Sequence, residues 1–358
     1  MTLGQCTFCG ACQSFGCANY SKATPQTTIL PVLLKRPNFE LRTDSEVLRI
    51  LLDSDGKRAT GVEYVDTSNR RWEQPADLVI LGAFMLENVR LMLLSGIGRP
   101  YDPRSGEGVV GKNFSHQTSS NAQLFFADKL INPFIAAGAM GIGIDEFNAD
   151  NFDHSGLGFF GGANVRVNPN SGSPIGYRPT PPGTPRWGSQ WKKATAETYQ
   201  RFAQVGASGS YFPSRTNYMD LDPTYKDRFG RPLLRLTNDF SENDLKMSAY
   251  VTERAAEIGR AMGAKQVIAN QRKGPYSIVA YQTTHINGGT TMGANPRMSA
   301  VNPYLQSWDV HNLFVIGSSN FQQNSSYNPT GTIGALAFRA ADALRNQYLK
   351  NPGPLVPT

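Results

Sequence analysis

Cysteine disappears from this 358-residue chain after Cys17, histidine occurs only four times, and no stretch is both long and apolar. The first absence rules out a disulfide framework spread through the fold. The most apolar stretch free of charge, Ile131 to Ile144, is rich in glycine and falls short of the roughly 20 residues that span a bilayer, so no transmembrane segment is expected. Met1-Thr2-Leu3-Gly4-Gln5 has neither a basic nor an apolar leader region, so no export signal is read there. Lys and Arg outnumber Asp and Glu by 35 to 28, for a net charge of +7, but they never gather into the kind of run that grips nucleic acid. Nucleic acid is therefore not an expected partner, and the basic balance is read as solubility or docking to acidic partners. No internal repeat is present.

What is present, 40% hydrophobic and 18% charged residues, is a globular composition with length for roughly two domains. Phe39 to Arg42, Val47 to Leu52, Thr60 to Val65 and Leu78 to Leu81 read as strands, with Asp55-Gly56 as a turn and Gly82 as a stop. Leu86 to Leu94 then carries helical spacing and ends at Ser95-Gly96. From about Asn113 to Tyr281 the chain turns rich in Gly, Asn, Pro and aromatic residues, as in a second domain with long loops. Within it, Ser241-Glu-Asn-Asp244 resembles a capping box and predicts a helix that stops near Gly263. The tail returns to a buried strand over Asn312–Gly317 and a helix over Pro329–Leu349, with Ile333, Leu336, Ala337, Ala340 and Leu344 on one face.

The four cysteines are spaced Cys6-x2-Cys9-x2-Cys12-x4-Cys17. That is close to the ferredoxin run, in which short loops bring thiolates onto one iron-sulfur cluster and backbone N–H groups bond the sulfurs. Structural zinc usually takes two separated ligand pairs, and disulfides need Cα atoms at least about 4.4 Å apart, which this spacing serves poorly. An iron-sulfur site is the expectation, with zinc or disulfides left open. Asp145-Glu-Phe-Asn-Ala-Asp-Asn-Phe-Asp-His154 offers hydroxyl-binding groups for a sugar, but its spacing misses the calcium-loop pattern and a solvated turn is expected.

Two segments carry the chemistry. One is Thr284-His285-Ile-Asn-Gly-Gly-Thr-Thr-Met-Gly293, whose glycines would let backbone approach a ligand. The other runs from Gly317 to Asn328-Pro329-Thr330-Gly331-Thr332. Asn328 suits an N-cap and Pro329 a first helical position, so Thr330 to Thr332 would present backbone N–H groups and a positive dipole end. At the carboxyl edge of an open α/β sheet, that end suits an anionic or hydride-accepting cofactor.

His285 within H-x-x-G-G-T-T-x-G, then the strand Leu313–Ile316 and Asn328-Pro-Thr-Gly-Thr332, resembles the C-terminal signature of glucose-methanol-choline oxidoreductases. Gly82-Ala83 with Asn88-Val-Arg-Leu-Met-Leu-Leu-Ser-Gly-Ile-Gly98 is similar to that family's second signature, Asn88-Val89 replacing its usual Ser/Thr-Pro. The cysteine run and Asn148–Gly156 resemble the branch of gluconate and fructose dehydrogenase large subunits, and the likeness extends over nearly the whole chain. The resemblance implies an α/β (α+β) fold: a partial FAD/NAD(P)-binding Rossmann-like domain plus an antiparallel-sheet substrate-binding domain. It implies three spans: 1–112 with the cysteine cluster, 113–280 for substrate, and 281–358 returning to the FAD domain.

By the same resemblance, His285 and Asn328 are catalytic, and Val47, Gly82, Ala83, Gly317, Ser318, Pro329 and Thr330 bind FAD. Cys6, Cys9, Cys12 and Cys17 would hold a cluster of the three-iron type. The implied reaction is oxidation of a CH–OH group of a sugar, polyol or sugar acid, with electrons passing through the cluster to an acceptor other than oxygen. The implied partners are a cytochrome c subunit and a small subunit at the periplasmic face of the inner membrane. The family's G-x-G-x-x-G is not matched: Gly106-Glu-Gly108-Val-Val-Gly111 follows no strand and opens no helix, so the dinucleotide motif is expected upstream of Met1. The alternative is a catalytically incomplete fragment acting as an electron-transfer or carbohydrate-binding subunit.

Overall fold

Why the chain folds as it does is clearest at the two helices whose ends the sequence punctuates. The computed structural model describes residues 3–9, 16–132, 141–169, 179–277 and 284–356. In chain order it forms the turns α1 (Pro25–Thr28) and α2 (Leu30–Leu33), strands β1 (Glu46–Leu52), β2 (Ala59–Val65), β3 (Arg71–Pro75) and β4 (Val79–Leu81), and helix α3 (Met85–Leu94). Strands β5 (Thr118–Phe125), β6 (Ile142–Ile144) and β7 (Ala163–Pro169) follow, then α4 (Gly188–Thr198). Next come β8 (Phe202–Gly209), β9 (Tyr218–Lys226), β10 (Pro232–Thr237), α5 (Glu242–Ala261), β11 (Gln266–Asn270), β12 (Leu313–Val315) and α6 (Thr330–Ala343).

Helix α3 buries Met85, Val89 and Met92 at helical spacing. It ends where Gly96 takes φ +67°, its N–H donating to Leu93 O at 3.2 Å and that of Ile97 to Met92 O at 2.9 Å. These are the two bonds of a Schellman stop, and the left-handed position is one glycine occupies without strain. Helix α5 stops the same way: Gly263 has φ +80°, with Gly263 N–H to Arg260 O at 2.9 Å and Ala264 N–H to Gly259 O at 3.2 Å.

Two compact units result. One comprises Met1–Arg42, Thr118–Gly209 and Glu242–Lys273. Its centre is an antiparallel sheet in the order β11-β5-β8-β7-β6, against which α5 packs Met247, Val251, Ala255 and Ala256. Gly259 is where helix meets strand, since a Cβ there would lie 2.2 Å from Leu124 Cδ2.

The other unit comprises Thr43–Gln117, Ser210–Ser241 and Gly274–Thr358. It holds the antiparallel meander β1-β2-β3, the hairpin β9-β10, and a parallel pair of β4 and β12 in register Leu313↔Val79 to Val315↔Leu81. Its core gathers Ile50, Leu81, Val89, Met92, Phe114, Ile286, Val301 and Leu313, each contributing about 1.5–3 kcal/mol of transfer free energy on full burial. The mixed fold matches the sequence expectation. No strand forms over Phe39–Arg42, and β3 was not anticipated. The expected helix over Pro329–Leu349 becomes α6 followed by a π turn, Leu344–Tyr348.

Candidate active site

The parallel pair sets the site's floor. Ile316 N–H continues the ladder to Leu81 O at 2.8 Å, so Gly82-Ala83 and Gly317-Ser318 leave the carboxyl ends of adjacent strands, where cofactors bind in open α/β sheets. Asn88, fully buried, clamps those ends together. Its Oδ1 accepts from Ala83 N–H at 2.8 Å, and its Nδ2 donates to Ile316 O and Ser319 Oγ, both at 3.1 Å. The residue that departs from the family's signature thus has a definite bonding role.

A second layer is stitched onto the first by backbone pairing. Gly288, Thr290 and Met292 N–H groups donate to Ser318, Ser319 and Asn320 carbonyls at 2.8–3.1 Å. On the other side, Ser115 and Asn287 exchange N–H···O bonds of 3.0 Å in both directions. The glycines of this segment serve that stitching rather than ligand approach, which corrects the sequence expectation. A Cβ on Gly288 (φ +94°) would lie 2.0 Å from Asn113 O, and one on Gly289 (φ +98°) 2.3 Å from Val89 Cγ2.

His285 sits half-buried with φ +62°, in the left-handed region that a non-glycine residue seldom occupies. Its Nδ1 lies 2.7 Å from Gln117 Oε1, and Asn324 Nδ2 donates to its carbonyl. Gln117 Nε2 donates to Ser325 O at 3.0 Å and Tyr327 O at 2.8 Å, three residues and one residue before Asn328. One buried amide therefore contacts both the imidazole and the loop that carries Asn328. Sequence reading missed Gln117, Asn324 and the clamp of Asn88. Gln117 lies 168 positions from His285 and no local pattern marks it.

Asn328, Thr330, Gly331 and Thr332 are exposed. Helix α6 starts at Thr330 with Pro329 in the cap position, one residue beyond the N-cap expected at Asn328. The first-turn N–H groups still have no intrahelical acceptor, by helix geometry. A Cβ on Gly82 or Gly331 would meet nothing within 4 Å, and one on Gly317 would meet only Asn88 Nδ2 at 3.5 Å. Open space beside strand ends and a helix N-terminus fits the ring end of a flavin. Val47 stands apart on β1, in the antiparallel meander.

Among the described residues, the loop from Gly106 to Gly111 offers no such cradle for a pyrophosphate. Gly108 has its own chain against it, a Cβ there falling 2.0 Å from Pro100 O, and the Cβ of Gly111 would fall 2.0 Å from Met219 O. These glycines permit close backbone packing, as the sequence reading of a non-dinucleotide loop requires. Ile80 on β4 stays 53% exposed, although parallel strands are ordinarily covered on both faces.

In the other unit, Cys6 and Cys9 are exposed and Cys17 half-exposed, all as free thiols, while Cys12 lies outside the described residues. Cys6 Sγ accepts from Phe8 N–H at 3.4 Å and Cys17 Sγ from Ser21 N–H at 3.3 Å. Backbone donors from Lys22 and Ser21 hold the Cys17 thiol below its ordinary pKa. Among the described residues, no three Cys, His, Asp or Glu side chains are grouped to hold a metal ion. Asp145 accepts from the Asn148 and Asn151 amides at 3.0 and 3.3 Å, the behaviour of a local turn. No helix among the described residues is long and apolar enough to cross a membrane.

Comparison with known proteins identifies the family. Two family models described as GMC oxidoreductase match residues 2–119 and 213–337. The gluconate 2-dehydrogenase flavoprotein of Pantoea cypripedii is 52% identical over 358 residues, covering 99% of this chain and 58% of that protein. The 2-methyl-1,2-propanediol dehydrogenase of Mycolicibacterium austroafricanum is 30% identical, covering 92% and 58%, and the fructose dehydrogenase large subunit of Gluconobacter japonicus 26%, covering 82% and 52%. The chain thus spans a little over half the length of these relatives. Among solved structures, formate oxidase superposes with a TM-score of 0.57 at 16% identity, over 88% of this chain and 62% of its own, a likeness of fold.

Proposed function

The chain belongs to the GMC oxidoreductase family, and we propose that it forms the larger part of an FAD-dependent dehydrogenase that oxidises a CH–OH group of a sugar, polyol or sugar acid. The observation that carries this reading is the half-buried imidazole of His285, anchored through Gln117 to the loop that leads to Asn328 and the open N-terminus of α6. The relative at 52% identity, a gluconate 2-dehydrogenase flavoprotein, favours a sugar acid.

Oxidation of CH–OH to C=O removes a proton from oxygen and a hydride from carbon. FAD, when bound, supplies the acceptor for that hydride. His285 takes the hydroxyl proton, a task suited to the side chain whose ordinary pKa lies nearest neutrality. Asn328 hydrogen-bonds the same substrate oxygen and orients the C–H, which lowers the entropic barrier. Gly82, Ala83, Gly317, Ser318, Pro329 and Thr330 would hold the ring end, where the unpaired first-turn N–H groups of α6 favour negative charge. No residue of this chain is assigned to the pyrophosphate. The uncovered Ile80 face supports further parallel strands completing that part of the site.

The test is the protein expressed at the length of its relatives and loaded with FAD. Sugar or gluconate should bleach the flavin absorbance, and His285→Ala should lower turnover by on the order of 10²–10⁴. Full turnover in that variant would remove His285 from the chemistry.

A second reading concerns electron exit. The cysteine spacing, with backbone N–H groups on the sulfurs of Cys6 and Cys17, favours an iron-sulfur cluster, and from it transfer to a cytochrome c subunit at the periplasmic face of the inner membrane. Paramagnetic resonance and iron content of anaerobically prepared protein test it; protein without iron refutes it.

A further inference from the structure

We infer that Gln117 is a positioning residue that fixes the His285 imidazole with its proton on Nδ1, so that Nε2 is the nitrogen that takes the substrate proton. The inference rests on the reading of His285 as the base. It begins with backbone register. Ser115 and Asn287 form an antiparallel bridge, which sets Gln117 and His285 opposite each other two residues further along. Gln117 is 1% exposed, so its amide must find partners within the protein.

Two carbonyl oxygens, Ser325 O at 3.0 Å and Tyr327 O at 2.8 Å, face one end of that amide. Carbonyls only accept, so that end is the NH2 group and both its protons are committed. The other end is therefore Oε1, which also only accepts, and His285 Nδ1 at 2.7 Å must bring the hydrogen. Neutral imidazole has one N–H; with it on Nδ1, the basic lone pair lies on Nε2. The backbone of the histidine is held in place as well, Asn324 Nδ2 donating to the His285 carbonyl. Because the same amide grips residues 325 and 327, one group sets the placement of the base and of the chain entering Asn328.

The experiment reads the tautomer directly. In the full chain carrying ¹⁵N-labelled histidine, the long-range proton–nitrogen spectrum is recorded at a pH where the imidazoles are neutral. The His285 signals are identified by their loss in His285→Gln. Expected are a pyrrole-type Nδ1 and a pyridine-type Nε2. Gln117→Met should move His285 toward the Nε2–H form, while Gln117→Glu, which keeps an acceptor at Nδ1, should retain Nδ1–H. In FAD-loaded protein of relatives' length, Gln117→Met should lower kcat by on the order of a hundredfold with KM changed less than about threefold, and Gln117→Glu should recover part of the loss.

A wild-type His285 in the Nε2–H form overturns the inference without any variant having to fold, as does an Nδ1–H form that Gln117→Met leaves unchanged. The catalytic reading fails separately, through full turnover in His285→Ala, because the nitrogen spectrum does not depend on turnover.

Discussion

Asn88 Nδ2 lies 3.1 Å from Ile316 O, so a single helical side chain bonds the last residue of one strand's extension while its Oδ1 holds the start of the turn after the other. The bonds are intramolecular and partly buried, with Asn88 itself fully enclosed, so water makes good only part of their loss. Asn88→Ala removes the partner of Ala83 N–H and of the Ile316 carbonyl together, at about 0.5–1.5 kcal/mol for each bond lost. Urea titration should show the midpoint falling with an unchanged slope. The same variant at relatives' length should retain less FAD, because the two strand ends that would flank the ring are no longer fixed.

Asp227 gives a pH prediction. Burial alone would push its carboxyl up, but hydrogen bonds from Arg90, from the Arg231 and Phe229 backbone N–H groups and from the Arg231 side chain outweigh it and hold the carboxyl well below the usual range. A folded-state pKa below the unfolded one means the stabilisation is complete above the unfolded value of about 3.9 and is lost as pH falls below it. Asp227→Asn should therefore destabilise at neutral pH, by about 3–5 kcal/mol since Arg90 is only 7% exposed. The gap between variant and parent should narrow as the solution is taken to pH 3 and lower. A gap that widens on acidification would contradict the ion pair's assigned role.

Legibility followed the kind of residue that faced inward. Strands β1 and β2 were readable because Val47 to Leu52 and Thr60 to Val65 are rich in apolar and β-branched residues on either side of the Asp55-Gly56 turn. Helices α3 and α5 were readable to within a residue at their ends, because Gly96 and Gly263 mark their Schellman stops. Strand β5 was not, since its inward side chains include Thr118, Ser120 and Ala122, which carry little hydropathy signal. Strand β3 has no buried residue at all and exists through its ladder to β2. At the site, His285 and the α6 start announced themselves through glycine and proline, whereas Gln117 and Asn324 are joined to His285 only by the fold.

Two glycines should respond oppositely to the same substitution. Gly288→Ala puts a Cβ 2.0 Å from Asn113 O at φ +94°, so both the backbone and its neighbour must shift, at a cost above about 3 kcal/mol. Gly331→Ala meets nothing within 4 Å in a helical turn, so thermal unfolding should shift by less than about 0.5 kcal/mol. Only the second variant tests ligand approach: at relatives' length it should fold normally and bind FAD more weakly. Normal affinity would show that the ring end of the site lies elsewhere than α6.

His285 combines a chemical role with backbone strain, and the two can be separated. Its φ of +62° costs an ordinary L-residue about 1–2 kcal/mol, which glycine escapes. His285→Ala and His285→Gly both delete the imidazole and its bond to Gln117, so on the proposed chemistry their turnover should be equally low. Their stabilities should differ: the glycine variant relieves the left-handed strain, while the greater freedom of its unfolded chain offsets part of the gain. The expected result is a glycine variant more stable than the alanine one by about 0.5–1 kcal/mol, read from paired urea titrations. An alanine variant of equal or greater stability would mean that position 285 stores no strain. In that case the Asn324 contact to its carbonyl follows the backbone rather than holding it.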